Sequence, residues 1–177
     1  VQTKTMIKVG FIGIGLMGLP MAKNLLKKGY TVKAFNRTKE KADKLKEFGA
    51  IVTKSIKEAV QDSDVVITML TNDKSVSEVT NNPEFINYLK KNSTVIDMSS
   101  IKPQTALKNG KLINSKNVNY LDAPVSGGTN GAEDSSLAIM VGGDEKTFNN
   151  NLDILKSMGN PTLVGPISSG QISKLAN

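Results

Sequence analysis

VGFIGIGLMGLPMAKNLLKKG, residues 9–29, is the stretch on which the fold turns. An apolar run reaches three glycines, Gly13, Gly15 and Gly18, and passes straight into apolar residues at helical spacing that stop on Gly29. In a strand-to-helix turn of this kind each glycine has its own work. The first allows the tight turn, the second lets backbone approach a pyrophosphate, and the third packs helix against strand. The helix then aims its N-terminal N–H groups and partial positive charge at the phosphates. Such glycines can also be purely structural, so the dinucleotide reading rests on the strand, helix and second strand that frame them.

Moving outward, apolar blocks alternate with helical patterns at short spacing along the whole chain. Strands are expected at 8–12, 31–35, 50–52, 65–69, 94–98, 119–121, 137–141 and 162–164, and helices at 20–28, 39–48, 56–62, 103–115 and 145–158. This is the α/β pattern of a Rossmann-type, doubly wound, mostly parallel sheet. VVITML (65–70) is apolar throughout, as a strand buried on both faces should be, and LAIMVGG (137–143) reads as a strand near one edge. Gly29 and Gly159 stand where helices end on glycine. Residues 6–165 form the expected dinucleotide-binding domain. In residues 166–177, SSGQISKLAN (168–177) begins with a capping serine and reads as the first turns of the interdomain helix.

Composition narrows the chemistry. The 177 residues include no cysteine and no histidine, so disulfides, a thiolate nucleophile and the commonest acid/base and metal ligand are all excluded, and no metal is expected. Proton chemistry falls to Lys, Tyr, Asp or Glu. The net charge of +7 is spread over helix-like segments such as KEKADKLKEF (39–48) without interleaved aromatics, which argues for solvated faces and against nucleic acid. No stretch approaches a membrane span, and residues 1–5 lack a signal peptide's apolar region, so a cytoplasmic address is expected.

About twenty residues beyond the glycines, the second strand ends in FNRT (35–38). NAD sites place a carboxylate there for the ribose hydroxyls, whereas an arginine accommodates the 2′-phosphate of NADP. Asn36 is neutral and Arg37 cationic, so NADP is the expected cofactor, with NAD possible and Thr38 as a further hydroxyl contact. An arginine exposed at a strand end with no ligand is the plain alternative. YLDAPVSGG (120–128) offers a Ser126 hydroxyl and the unshielded N–H groups of Gly127 and Gly128, which suit a carboxylate. Alone, it is equally an ordinary strand-to-loop turn.

In their order along the chain, GFIGIGLMGLPMAKNL, NRT, ITMLTN, DMSSIKP, DAPVSGG, IMVGG and GQISKLAN resemble the β-hydroxyacid dehydrogenase family, which includes 3-hydroxyisobutyrate dehydrogenase, tartronate semialdehyde reductase and the glyoxylate/succinic semialdehyde reductases. The match runs from Ile7 to the last residue. The resemblance implies a hydride-transferring oxidoreductase acting between NADP(H) and a small carboxylate substrate, a β-hydroxyacid or aldehyde acid. It implies that Gly13, Ile14, Gly15, Leu16, Met17 and Gly18 bind pyrophosphate, that Asn36, Arg37 and Thr38 hold the adenosine ribose and its phosphate, and that Met69 and Leu70 line the cofactor groove. Ser100 would lie by the nicotinamide ribose, and Ser126, Gly127 and Gly128 would hold the substrate carboxylate. Lys174 matches the family's catalytic lysine and Asn177 its substrate-binding neighbour.

The residues agree with that chemistry. Reducing an aldehyde leaves a developing alkoxide that needs a proton donor or cation, and a lysine supplies both. The rival Tyr-x-x-x-Lys pair is excluded, because Tyr30, Tyr88 and Tyr120 are followed four residues later by Ala34, Asn92 and Pro124. Without the family, Lys174 reads as a solvent-facing helix lysine. Two positions depart from the family pattern, which usually has glycine at Ser135 and Ser168. Relatives also continue into an all-helical domain that closes the cleft and builds a homo-oligomer, and that domain lies outside these residues. The competing readings are a non-catalytic dinucleotide binder, which would need neither Lys174 nor DAPVSGG, and a domain inactive alone because half its cleft is elsewhere.

Overall fold

A computed structural model describes residues 6–176. The first strand, β1 (Lys8–Ile12), is buried from Val9 onward. The chain turns through the glycines into α1 (Gly18–Lys27) and returns as β2 (Thr31–Phe35), parallel to β1 with Lys8 opposite Thr31. Next come α2 (Lys39–Asp43), a 3-10 turn (Lys46–Phe48), β3 (Ile51–Val52), α3 (Ile56–Val60) and β4 (Val65–Thr68). They are followed by α4 (Asp73–Thr80), α5 (Pro83–Ile86), β5 (Thr94–Asp97), α6 (Pro103–Asn114) and β6 (Asn119–Asp122). The remainder is β7 (Val125–Ser126), α7 (Gly128–Asp134), β8 (Leu137–Gly142), α8 (Glu145–Asn150), α9 (Leu152–Lys156), β9 (Gly159–Gly165) and α10 (Ser169–Ala176).

The strands lie in the order β3-β2-β1-β4-β5-β6-β8-β7, with β9 on β8. All pairs from β3 to β6, and β8 with β9, are parallel; β8 runs antiparallel to β6 and β7. The sheet is therefore doubly wound, of Rossmann type and mostly parallel. Alternate residues along each strand enter opposite layers. Val9, Phe11, Ile67 and Ile96 join Met21 and Leu25 on one face, while Ile12, Val66 and Val95 join Val60, Phe85 and Ile113 on the other. A fully buried side chain of this size contributes about 1.5–3 kcal/mol, which is why both faces must be covered by helices. Among the described residues no helix is long and apolar enough to cross a membrane.

Several local expectations differ from the fold. The segment between β4 and β5 holds two helices that apolar periodicity does not signal, since α4 buries only Val76 and Thr80. Their marks are caps: Asn72 accepts from Ser75 N at 2.8 Å, Asn82 accepts from Glu84 N at 2.9 Å, and Pro83 opens α5. The helix expected at 145–158 breaks at Asn151, whose side-chain amide donates to Thr94 Oγ1 and to Thr147 O. Gly29 has the left-handed φ of 93°. Gly159 instead opens β9 opposite Leu137. As the outermost strand of its end, β9 carries Pro161 without losing a ladder bond on its free side. Ser135 and Ser168, where the family pattern has glycine, both hold positive φ, 56° and 85°. That conformation is the physical reason glycine suits those positions.

Candidate functional site

Strand order reverses between β1 and β4, and in open α/β sheets ligands bind in the crevice beyond the carboxyl ends of the strands at such a switch point. Here the crevice is flanked by the glycine turn after β1 and by Met69 and Leu70 after β4. Gly13 has φ 105°, and a Cβ on it would stand 2.2 Å from Met69 O. A Cβ on Gly18 would stand 2.0 Å from Gly13 O, so the N-terminus of α1 is held directly against the turn. Gly15 is different: it is exposed and has nothing within 4 Å of its Cβ position. The space over Gly15 is thus left open by the fold itself. The first turn of α1 has no acidic residue to compete for its N–H groups.

Asn36 ties the glycine turn to the end of β2. Its Oδ1 accepts from Ile14 N at 2.8 Å and its Nδ2 donates to Thr38 O at 2.9 Å. Both ends of the amide are engaged with backbone, so Asn36 braces the glycine turn against the β2 end. Arg37 and Thr38, beyond it, are exposed, and Arg37 forms no ion pair among the described residues. A cleft of about 390 Å³ runs from these residues past Phe35 and Lys41 to Leu70 and Val79. Leu16 projects from the turn at 84% exposure, with Met17 half-buried behind it.

The second half of the site lies at the ends of β5 and β6. Ser100 is exposed, next to Ser99, whose Oγ accepts from Leu70 N at 2.8 Å. Ser126, Gly127 and Gly128 are exposed at the end of β7, with φ 137° at Gly127 and 61° at Gly128 turning the chain into α7. Lys174, on α10, donates from Nζ to Val125 O at 2.6 Å, so the ammonium stands one residue from the Ser-Gly-Gly turn. Burial lowers the Lys174 pKa from its ordinary value. Asn177 lies outside the described residues.

Three residues that sequence reasoning passed over hold this half together. Asp122 Oδ1 accepts from Ser168 N at 2.7 Å and Oδ2 from Gln171 N at 3.0 Å, which seats the start of α10 on the end of β6. Gln171 donates from Nε2 to Ser99 O at 2.8 Å and accepts on Oε1 from Ile101 N at 3.1 Å. Asp97 Oδ1 accepts from Thr68 Oγ1 at 2.9 Å and from Ser99 N at 3.1 Å, while Oδ2 is buried without a partner. Burial pushes the Asp97 carboxyl up to about 6 against those hydrogen bonds, with the Asp122 charge adding to the rise. Burial also raises Asp122, opposed by the backbone N–H groups it accepts. The available signals were an aspartate closing the apolar strand YLD without a basic neighbour and a glutamine three residues before Lys174.

The family model for the NAD binding domain of 6-phosphogluconate dehydrogenase matches residues 8–167. The chain is 39% identical over 173 residues to the 2-(hydroxymethyl)glutarate dehydrogenase of Eubacterium barkeri, covering 97% of this chain and 58% of that one. It is 38% identical over 173 residues to the 2-hydroxy-3-oxopropionate reductase of Escherichia coli, covering 97% and 59%. The solved Mycobacterium tuberculosis 3-hydroxyisobutyrate dehydrogenase with L-serine superposes with a TM-score of 0.93 at 35% identity, over 97% of this chain and 59% of that one. The chain thus spans somewhat more than half the length of these relatives.

Proposed function

The chain belongs to the β-hydroxyacid dehydrogenase family, and from that premise we propose that it is the cofactor-binding domain of an enzyme moving a hydride between NADP(H) and a small β-hydroxyacid or aldehyde acid. Substrates of the 3-hydroxyisobutyrate, tartronate semialdehyde, succinic semialdehyde or glyoxylate type fit the reading. The observation that carries it is the Lys174 ammonium held 2.6 Å from Val125 O, beside the exposed Ser126-Gly127-Gly128 turn. A cation and an anion-binding turn are thereby offered to one small molecule. The relative solved with L-serine, a carboxylate with a β-hydroxyl, is consistent with that chemistry.

The crevice fits a dinucleotide. Gly15 leaves open the approach that a Cβ would fill, the α1 N-terminus faces it, and the β2 end presents Arg37 in place of a carboxylate. Gly13 to Gly18 would hold the pyrophosphate, Arg37 and Thr38 the 2′-phosphate, Met69 and Leu70 the groove wall, and Ser100 the nicotinamide side. The reduced cofactor, when bound, supplies the hydride. The chain's own part is to orient the substrate and manage the proton. Ser126 Oγ and the Gly127 and Gly128 N–H groups would bind the substrate carboxylate. In reduction, protonated Lys174 gives a proton to the carbonyl oxygen as negative charge develops there; in oxidation, neutral Lys174 takes the hydroxyl proton. Burial favours this by bringing the lysine's two protonation states closer together at working pH.

The test is Lys174→Ala in the full-length enzyme, assayed with NADPH and a panel of C2 to C4 aldehyde acids. Turnover is expected to fall about 10²–10⁴-fold while NADPH affinity is retained. Substantial residual turnover would refute the assignment.

A further inference from the structure

Lys174 stands on α10, and the elements that fix α10 are few. At its start, the fully buried Asp122 carboxylate accepts from Ser168 N and Gln171 N at 2.7 and 3.0 Å, so an anion meets the positive end of the helix. One turn before the lysine, Gln171 is 2% exposed and uses both ends of its amide on the backbone of residues 99 and 101. Ser99 in turn accepts from Leu70 N, so the same clamp reaches the wall of the cofactor crevice. Residues three apart share a helix face, and Gln171 and Lys174 are so spaced. A rotation of α10 that freed the Gln171 amide would therefore swing the ammonium off Val125 O. Ile172 and Leu175, on other faces of the helix, are exposed at 53% and 73% and contribute little grip on this domain.

We infer that Asp122 and Gln171 are positioning residues for Lys174: the carboxylate fixes where α10 begins, the amide fixes its rotation, and together they aim the ammonium at the Ser126-Gly127-Gly128 turn. This rests on the reading of Lys174 as the acid/base. Neither side chain needs to touch substrate or cofactor for the effect.

The experiment uses the full-length enzyme with Gln171→Met, which keeps length and volume but makes neither backbone bond, alongside Lys174→Ala. In Gln171→Met, kcat per folded molecule is expected to fall about 10²-fold, the scale of a misplaced catalytic group, with the NADPH Kd within about twofold of wild type. The high-pH limb of the reduction profile should also move upward, because a lysine no longer held in its half-buried place regains solvent and a higher pKa. A variant with lower thermal stability but wild-type kcat and an unmoved limb would overturn the proposal, since a merely structural glutamine gives that result. If Gln171→Met does not fold, hydrogen exchange of the wild-type protein decides. Ser168 and Gln171 amides as slow as those of β6 support the anchor, and amides exchanging at loop rates overturn it. Activity in Lys174→Ala would sink the functional reading and this one together, whereas an inactive Lys174→Ala with an unperturbed Gln171→Met sinks only this one.

Discussion

Gly15→Ala and Gly13→Ala separate folding from binding at positions two residues apart. The Gly15 Cβ position has nothing within 4 Å, and the residue's φ is outside the left-handed region. An alanine there costs the fold nothing and narrows the unfolded ensemble, so stability should be unchanged or raised by up to about 1 kcal/mol. The methyl instead occupies the path by which a pyrophosphate meets the backbone. Losing one charge-assisted hydrogen bond removes about 1.5–3 kcal/mol, so NADPH affinity should fall about 10- to 100-fold. Gly13 is the opposite case, with φ 105° and a Cβ that would lie 2.2 Å from Met69 O and 2.9 Å from Met69 C. Both obstacles are backbone. Strain of about 1–3 kcal/mol from the dihedral and a similar amount from overpacking give about 2–6 kcal/mol. For a domain of this size that lowers the melting temperature by roughly 5–20 °C. The assays are thermal melting and NADPH titration by nicotinamide fluorescence on purified chains. Wild-type NADPH affinity in Gly15→Ala would refute the glycine turn as the cofactor cradle, and equal melting losses in the two variants would refute the geometric account of their difference.

Two further outcomes are expected. Arg37→Ala should weaken NADPH about 10- to 100-fold, the value of a charge-assisted pair to phosphate, and leave NADH unchanged; equal loss for both cofactors, or tighter NADH than NADPH binding by the wild type, would overturn the 2′-phosphate assignment. Asp97 has a folded pKa near 6 against 3.8 when unfolded. The native state therefore binds more protons than the unfolded state between those values, and stability falls as pH rises through that window, by about 3 kcal/mol at most. Asp97→Asn keeps an acceptor for Thr68 and Ser99 and cannot ionise, so a plot of stability against pH from 4 to 7 should lose part of that downward slope. A slope identical to wild type would show that the Asp97 carboxyl does not titrate as its burial dictates.

Local chemistry made most of the glycine-turn side of the crevice legible. Three glycines between an apolar strand and an amphipathic helix admit few structures, because the strand-to-helix turn closes on itself, Gly18 against Gly13 O, although the close approach of Gly13 to Met69 O comes only with the fold. The alternation of apolar blocks likewise announced a parallel sheet, and FNRT placed Arg37 beside the crevice without reference to anything distant. Elements with weak apolar patterning were harder to see. The helices α4 and α5 depend on Asn72, Asn82 and Pro83 as caps, and Asn151 breaks a continuous helical pattern by bonding across to Thr94.

Where chemistry depends on groups far apart in the chain, only the fold decided. By itself the sequence determined a doubly wound dinucleotide domain with a lysine near its end, and that lysine, taken alone, belonged in solvent. What brought Lys174 to Val125, 49 residues away, was a buried aspartate at one strand end and a glutamine clamped to the loop after another. Asp97, Asp122 and Gln171 make long-range bonds whose value comes from burial and from mutual geometry. Neither quantity is present in a linear chain until the sheet places β5, β6 and α10 side by side.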